Sequence, residues 1–184
     1  MNLTYTKFDE SLSYKYYRYD ARGRVTRFWH YVNGLGWKSE NYYYNSQNQV
    51  IRNWYQPNQS DGKVFTYSYD DAARLINTNL YLGSHPENPE EESDAPSSFL
   101  ALSRYTYNEN SQVSTQGLNS DQFTVNYNYN NRNWIQHTTA SSNMFRYILL
   151  YNPNGNIRYS ETQGTYSNNL AVSGNRKYLY QYDN

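Results

Sequence analysis

The sequence predicts an all-β protein, a continuous antiparallel meander of β-hairpins, and three observations predict it. First, 24 Tyr and 26 Asn fill 50 of the 184 positions. Tyr is a strand former with a large ring and a hydroxyl that needs a partner, whereas Asn belongs in turns and is poor inside helices. Second, a nine-residue pattern recurs along the chain: Tyr, any, Tyr, Asp or Asn, any, any, a small or turn residue, variable, aliphatic. Third, separate turn signals such as Asn33-Gly34 stand between the copies.

Each copy reads as strand, turn, strand. Tyr-x-Tyr places two rings on one strand face, and the Asp or Asn that follows opens a turn whose fourth residue takes positive φ. The first copy is Tyr17-Arg18-Tyr19-Asp20-Ala21-Arg22-Gly23-Arg24-Val25, with Gly23 suited to that site. After Phe28 to Val32 and the Asn33-Gly34 turn comes the second copy, Tyr42-Tyr43-Tyr44-Asn45 to Val50, where Asn48 tolerates the left-handed region. Asp61-Gly62 precedes the third, Tyr67-Ser68-Tyr69-Asp70 to Leu75, whose Ala73 fits the turn less well. The fourth runs from Tyr105 through Tyr107 and Asn108 to Val113, with Ser111 at the turn. Asn119-Ser120-Asp121 then leads to the fifth, Tyr127, Tyr129 and Asn130 to Ile135, with Asn133 at the turn. The sixth starts on Leu149 and carries Tyr151, Asn152 and Gly155 to Ile157; a seventh begins at Tyr180, Tyr182 and Asp183 and stops at Asn184. The strands are expected to run about 7–10 residues, and the half copy leads to the expectation that the chain is a fragment.

One stretch breaks the pattern. Residues 83–98 hold Pro86, Pro89 and Pro96 with Glu87, Glu90, Glu91, Glu92 and Asp94 and no strand former, so a solvated acidic loop is expected there. The chain is thus expected to comprise a repeat segment at 1–82 with three copies, an insertion at 83–98, and a repeat segment at 99–184 with three copies and the truncated seventh. Acidity alone does not make the insertion a calcium loop, because the spaced ligands and central Gly of such a loop are missing.

Composition also excludes function classes. Sixteen basic and sixteen acidic residues give zero formal charge, so the global field that attracts nucleic acid is lacking and no nucleic-acid partner is expected. No window approaches 18 apolar residues, so no helical membrane span is expected, and any export signal would lie outside this chain. Zero Cys removes disulfides, thiolate metal sites and Cys nucleophiles. Leu, Ile, Val and Phe amount to only 31 residues, so the Tyr rows are expected to build the core, with their hydroxyls bonded to neighbouring turns. On that reading Tyr19→Ala costs roughly 3–5 kcal/mol.

No constellation advertises catalysis. His30, His85 and His137 lie far apart without a motif around them, and no Gly-x-Ser-x-Gly elbow occurs. Asp20 and Asp70 occupy equivalent repeat positions, but the same position is Asn at 45, 108, 130 and 152, and an amide cannot serve as a general acid. Turn capping explains all six. Arg18, Arg22, Arg24 and Arg27 alternate with aromatic residues in the first copy only, which suits a solvated strand face better than a nucleic-acid groove. No cofactor, metal or catalytic residue is expected.

Tyr17 to Val25 resembles the YD repeat, also called the RHS repeat, with the pattern Tyr-x-Tyr-Asp-x-x-Gly-Arg-Leu, and Tyr67 to Leu75 resembles it with a departure at Ala73. The resemblance spans Tyr17 to Asp183, weaker where Asp becomes Asn. It implies a β-hairpin strip, curved or spiralling, that forms a segment of a hollow shell, as in bacterial toxin-complex subunits, polymorphic toxins and teneurins. It also implies a secreted or cell-surface location, further repeats of a parent or adjoining chain as partners, and an enclosed effector polypeptide as cargo. The self-cleaving core motif and the trailing effector of full-length members are absent from this chain, so neither proteolysis nor toxicity carries over. A second resemblance leads elsewhere: Gly36-Trp37, Tyr42-Tyr43-Tyr44 and Trp54-Tyr55 are similar to the aromatic repeats of bacterial cell-wall-binding modules. That alternative makes Trp37, Tyr43 and Trp54 contacts for surface glycans, although Gly-Trp occurs once rather than in every copy.

Overall fold

The computed structural model describes residues 2–8, 11–57, 59–82, 99–141, 144–164 and 174–182, with side chains from Tyr14 onward. Among the described residues the regular structure is β, as the turn periodicity predicts, with one residue of 3₁₀ turn at Ser141. Two compact units divide the chain, Met1–Leu102 and Ser103–Asn184. The segment expected at 1–82 lies within the first unit, and the acidic insertion at 83–98, with His85, lies outside the described residues.

The first unit is a meander of β1 (Asn2–Phe8), β2 (Ser11–Tyr19), β3 (Val25–Val32), β4 (Gly36–Tyr44), β5 (Val50–Tyr55), β6 (Lys63–Tyr69) and β7 (Leu75–Leu82). Each strand pairs antiparallel with the next. The second unit repeats the arrangement in β8 (Leu100–Tyr107), β9 (Val113–Leu118), β10 (Phe123–Tyr129), β11 (Ile135–Ala140), β12 (Phe145–Tyr151), β13 (Ile157–Gly164) and β14 (Gly174–Leu179).

Register decides which side chains share a face. In the first unit Tyr17 stands opposite Phe28, Tyr42 opposite Asn53 and Tyr67 opposite Thr78, so every Tyr-x-Tyr pair falls on one face. Tyr16 opposite Trp29, Tyr31 opposite Trp37, and Tyr43 opposite Arg52 mark the other face. In all six complete copies the register shifts at the second Tyr, because one extra residue enters the return strand. These are β-bulges, which raise the local right-handed twist.

The expected tyrosine core is corrected. The apolar side chains buried among the described residues are Trp54, Val64, Val125, Ala140 and Leu149, none of them Tyr. The Tyr rows are half-buried instead, and Tyr19 is 41% exposed. A single-layer meander explains this: rings lie side by side along strands, each covered by its neighbours and by no second layer among the described residues. The cost foreseen for Tyr19→Ala, which presumes full burial, therefore falls.

Candidate functional site

The repeated turn is the most elaborate polar feature of the chain. In the first copy the Gly23 amide donates to the Asp20 carbonyl at 3.1 Å, and the Asp20 amide donates to the Arg24 carbonyl at 2.9 Å. Asp20 Oδ1 accepts the amides of Arg22 and Arg24 at 2.9 and 3.0 Å, while Oδ2 accepts Arg24 Nε at 2.6 Å. Asp70 does the same with Ala72 and Arg74. The backbone and guanidinium donors of Arg24 hold the Asp20 carboxyl below its usual range, and those of Arg74 do so for Asp70. Turn capping is thus what both Asp residues do.

Where the turn opens on Asn, the partner changes with it. Asn45 Oδ1 takes the amides of Gln47 and Gln49 while its Nδ2 donates to Gln49 Oε1 at 2.7 Å, and Asn108 with Gln112 repeats this at 3.0 Å. Asp meets Arg and Asn meets Gln, so donor count and charge stay matched in these four copies. Sequence reading took the change of Asp to Asn as a weakening of the pattern; the coupled exchange of Arg for Gln four residues on was its visible signal. In the fifth copy Asn130 Oδ1 takes the amides of Arg132 and Trp134, and the Trp134 ring packs on Tyr151 at 5.1 Å.

The turn's last residue is left-handed in every complete copy: Gly23, Asn48, Ala73, Ser111, Asn133 and Gly155 have φ of 79, 65, 64, 61, 64 and 93°. In the sixth copy the space is also taken, since a Cβ on Gly155 would stand 3.2 Å from the Trp134 ring.

The remaining motif positions join copies to one another. The second Tyr donates its hydroxyl to the carbonyl of the preceding copy's aliphatic residue: Tyr44 to Val25, Tyr69 to Val50, Tyr129 to Val113, Tyr151 to Ile135 and Tyr182 to Ile157, at 2.6 to 2.9 Å. Desolvation raises the hydroxyl pKa of Tyr44, Tyr69, Tyr129 and Tyr151. In the opposite sense, Arg24 reaches Asn48 Oδ1 at 2.9 Å, Gln49 the Ala73 carbonyl at 3.0 Å, and Gln112 the Asn133 carbonyl at 2.8 Å. Arg132 likewise donates to the Pro153 carbonyl. Hydroxyls thus find strand carbonyls beside the turns, as Tyr chemistry requires.

The first Tyr of a copy takes local partners. Tyr42 donates to Glu40 Oε2 at 2.6 Å, which also accepts Asn53 at 3.0 Å, and burial together with Glu40 pushes the Tyr42 hydroxyl up. Tyr127 donates to Gln116, which in turn donates to Tyr105. Tyr67 lines an open groove of about 400 Å³ with Glu40 and Lys63, and its pKa is raised by desolvation. Outside the motif, Glu161 accepts Tyr159 at 2.6 Å and Gln163 at 2.7 Å and is lowered to about 2. Sequence reading missed both carboxylates; both are engaged with donors, Glu40 at the lining of that groove.

The glycan candidates separate. Trp54 is buried, 4% exposed, so it cannot present its ring to a sugar, and that expectation is corrected. Trp37 is 49% exposed and packs on Tyr16 and Tyr31 at 5.5 and 5.3 Å, while Tyr43 carries the Arg52 guanidinium 5.9 Å above its ring. His30 packs on Phe28, and His137 accepts Arg146 Nε on Nε2 at 2.7 Å, which with burial lowers its pKa. Tyr180 meets Ser160 at 3.2 Å; Asp183 lies outside the described residues. Among the described residues no group of three His, Cys, Asp or Glu could hold a metal ion, and no helix is long and apolar enough to cross a membrane.

No family model and no curated protein matches the chain. Its fold is similar to part of the crystal structure of TcdB2-TccC3-TEV, with a TM-score of 0.63 at 14% identity. The likeness is one of fold. It covers 83% of this chain and 8% of that one, so the chain spans a small part of its neighbour's length. The Photorhabdus luminescens Tc holotoxin pore, with a mutation in TccC3, matches 94% of the chain over 12% of its own at 13% identity and a TM-score of 0.37. A porin-like protein from Bacteroides uniformis matches 96% over 92% of its own at 11% identity and a TM-score of 0.35.

Proposed function

We propose that this chain is a wall segment of a YD-repeat shell, a scaffold that is not itself an enzyme and that works within a secreted or cell-surface toxin-complex assembly. The observation that carries this reading is the spending of the motif: turn, second Tyr and bridging side chain all go into capping a hairpin or joining it to the next. Such residues build a surface of any length from identical joints. Likeness in fold to part of a toxin-complex chain supports it. In this reading the partners are further YD repeats, and the enclosed cargo is an effector polypeptide supplied elsewhere in the assembly.

The test is to extend the reading frame on both sides of this segment, express the whole frame and image the particle by electron microscopy. A hollow particle with these hairpins in its wall is expected. A compact particle with no internal space, or a frame without further Tyr-x-Tyr-Asp copies, overturns the proposal.

A further inference from the structure

The two faces of the first unit differ in chemistry. The tyrosine face mixes signs, with Lys15, Lys38, Lys63 and Glu40. On the other face the charged side chains of β2 to β7 are Arg18, Arg27 and Arg52, and no strand position there is Asp or Glu. Arg18 and Arg27 are direct cross-strand partners; the Arg27 guanidinium lies 4.9 Å over the Trp29 ring, while Arg18 is exposed. The Arg52 guanidinium stands over the Tyr43 ring, and at the other end of the same strands Trp37, half exposed, is clustered with Tyr16 and Tyr31.

We propose that this face of β2 to β5 binds an acidic polysaccharide, its sugar rings against Trp37 and Tyr43 and its carboxylate or sulfate groups at Arg18 and Arg52. Charge complementarity requires an anionic partner, and guanidinium pairs carboxylate or sulfate through parallel hydrogen bonds. Sugar is favoured over nucleic acid by the count of cations. Three guanidinium groups on a chain of zero net charge neutralise about three phosphates, too few for firm backbone tracking. Neutral hydrogen-bonding groups on the same face, such as Ser39 and Thr66, suit hydroxyl-rich rings. This binding face does not depend on the wall role, since the copies are joined through turn residues and none of these four side chains takes part.

The test is titration of the 184-residue chain with polygalacturonate, chondroitin sulfate, neutral dextran and a single-stranded thymidine oligonucleotide, followed by Trp fluorescence and calorimetry. Expected is binding to polygalacturonate or chondroitin sulfate that weakens with salt and falls about tenfold or more in Arg18→Gln/Arg52→Gln. Tighter binding of polygalacturonate, whose anions are all carboxylates, marks carboxylate recognition, and tighter binding of chondroitin sulfate, which carries carboxylates too, marks added recognition of sulfate. Arg18→Gln alone, at an exposed position, keeps the test sound if the double variant unfolds. Trp37→Ala is expected to weaken binding as well, and Lys63→Gln on the tyrosine face to leave it unchanged. Failure of both acidic polymers to bind, equal affinity for dextran, tighter binding of the oligonucleotide, or indifference to the Arg variants overturns the proposal. Shell formation by the extended frame is a separate readout.

Discussion

At the scale of single residues, the repeat is a set of hydrogen-bond obligations met between neighbours. The Tyr69 hydroxyl donates to Val50 at 2.8 Å, and removing it strands a part-buried carbonyl. Tyr69→Phe is expected to lower stability by about 0.5–1.5 kcal/mol. Tyr19 belongs to the first copy, has no preceding copy to donate to and is 41% exposed, so Tyr19→Phe is expected to leave the urea midpoint unchanged. Ala73 holds φ of 64° where glycine would be at ease. Ala73→Gly is therefore expected to raise the midpoint, relief of roughly 1–2 kcal/mol of strain outweighing the greater freedom of an unfolded glycine. Gly155→Ala is expected to lower it, through both φ and the Trp134 ring. The left-handed positions were legible from sequence because turn residues announce themselves. Burial of Trp54 was not, since Tyr43, Trp54 and Trp37 alternate identically and only register and twist decide which ring is covered.

At the scale of the hairpin, residue four and residue eight of the copy act as a unit. Asp20 with Arg24 and Asn45 with Gln49 present the same geometry with different charge. Asp20→Asn alone leaves the Arg24 guanidinium without its carboxylate, and Arg24→Gln alone leaves the carboxylate without its ion pair. The double variant Asp20→Asn/Arg24→Gln is expected to unfold at a higher urea concentration than the sum of the single losses allows, a positive coupling in a double-mutant cycle. Strict additivity would mean that the pairing is incidental. The strand-turn-strand unit itself was legible, because alternation of Tyr with small residues and the Asp/Asn turn agree on one structure. The bulge was not, since it adds one residue without any distinctive side chain.

At the scale of the whole molecule, the same groups set a window of pH. Asp20, Asp70 and Glu161 have folded pKa values below their unfolded ones, so their stabilisation is present above about pH 4 and lost as pH falls through the folded values. Tyr44, Tyr69, Tyr129 and Tyr151 have raised values, so theirs is present below about pH 10 and lost as pH climbs through the folded values. Urea midpoints are expected to be flat from about pH 7 to 9 and to fall on both sides, His137 with its lowered pKa adding to the acid side below about pH 6.5, and more steeply on the alkaline side than in a protein with exposed tyrosines. A midpoint that is indifferent to pH 11 would contradict the hydroxyl joints. The meander of each unit followed from the periodicity, whereas the burial pattern did not, because among the described residues the rings of a unit are covered only by their neighbours along the sheet. The joints between copies also sit at one end of the hairpins, beside the four-residue turns, while the other ends are closed by connections such as Asn33-Gly34 and Gln59 to Gly62. Foreign peptides spliced into those other ends, within either unit, are therefore expected to leave the hydroxyl joints beside the turns intact.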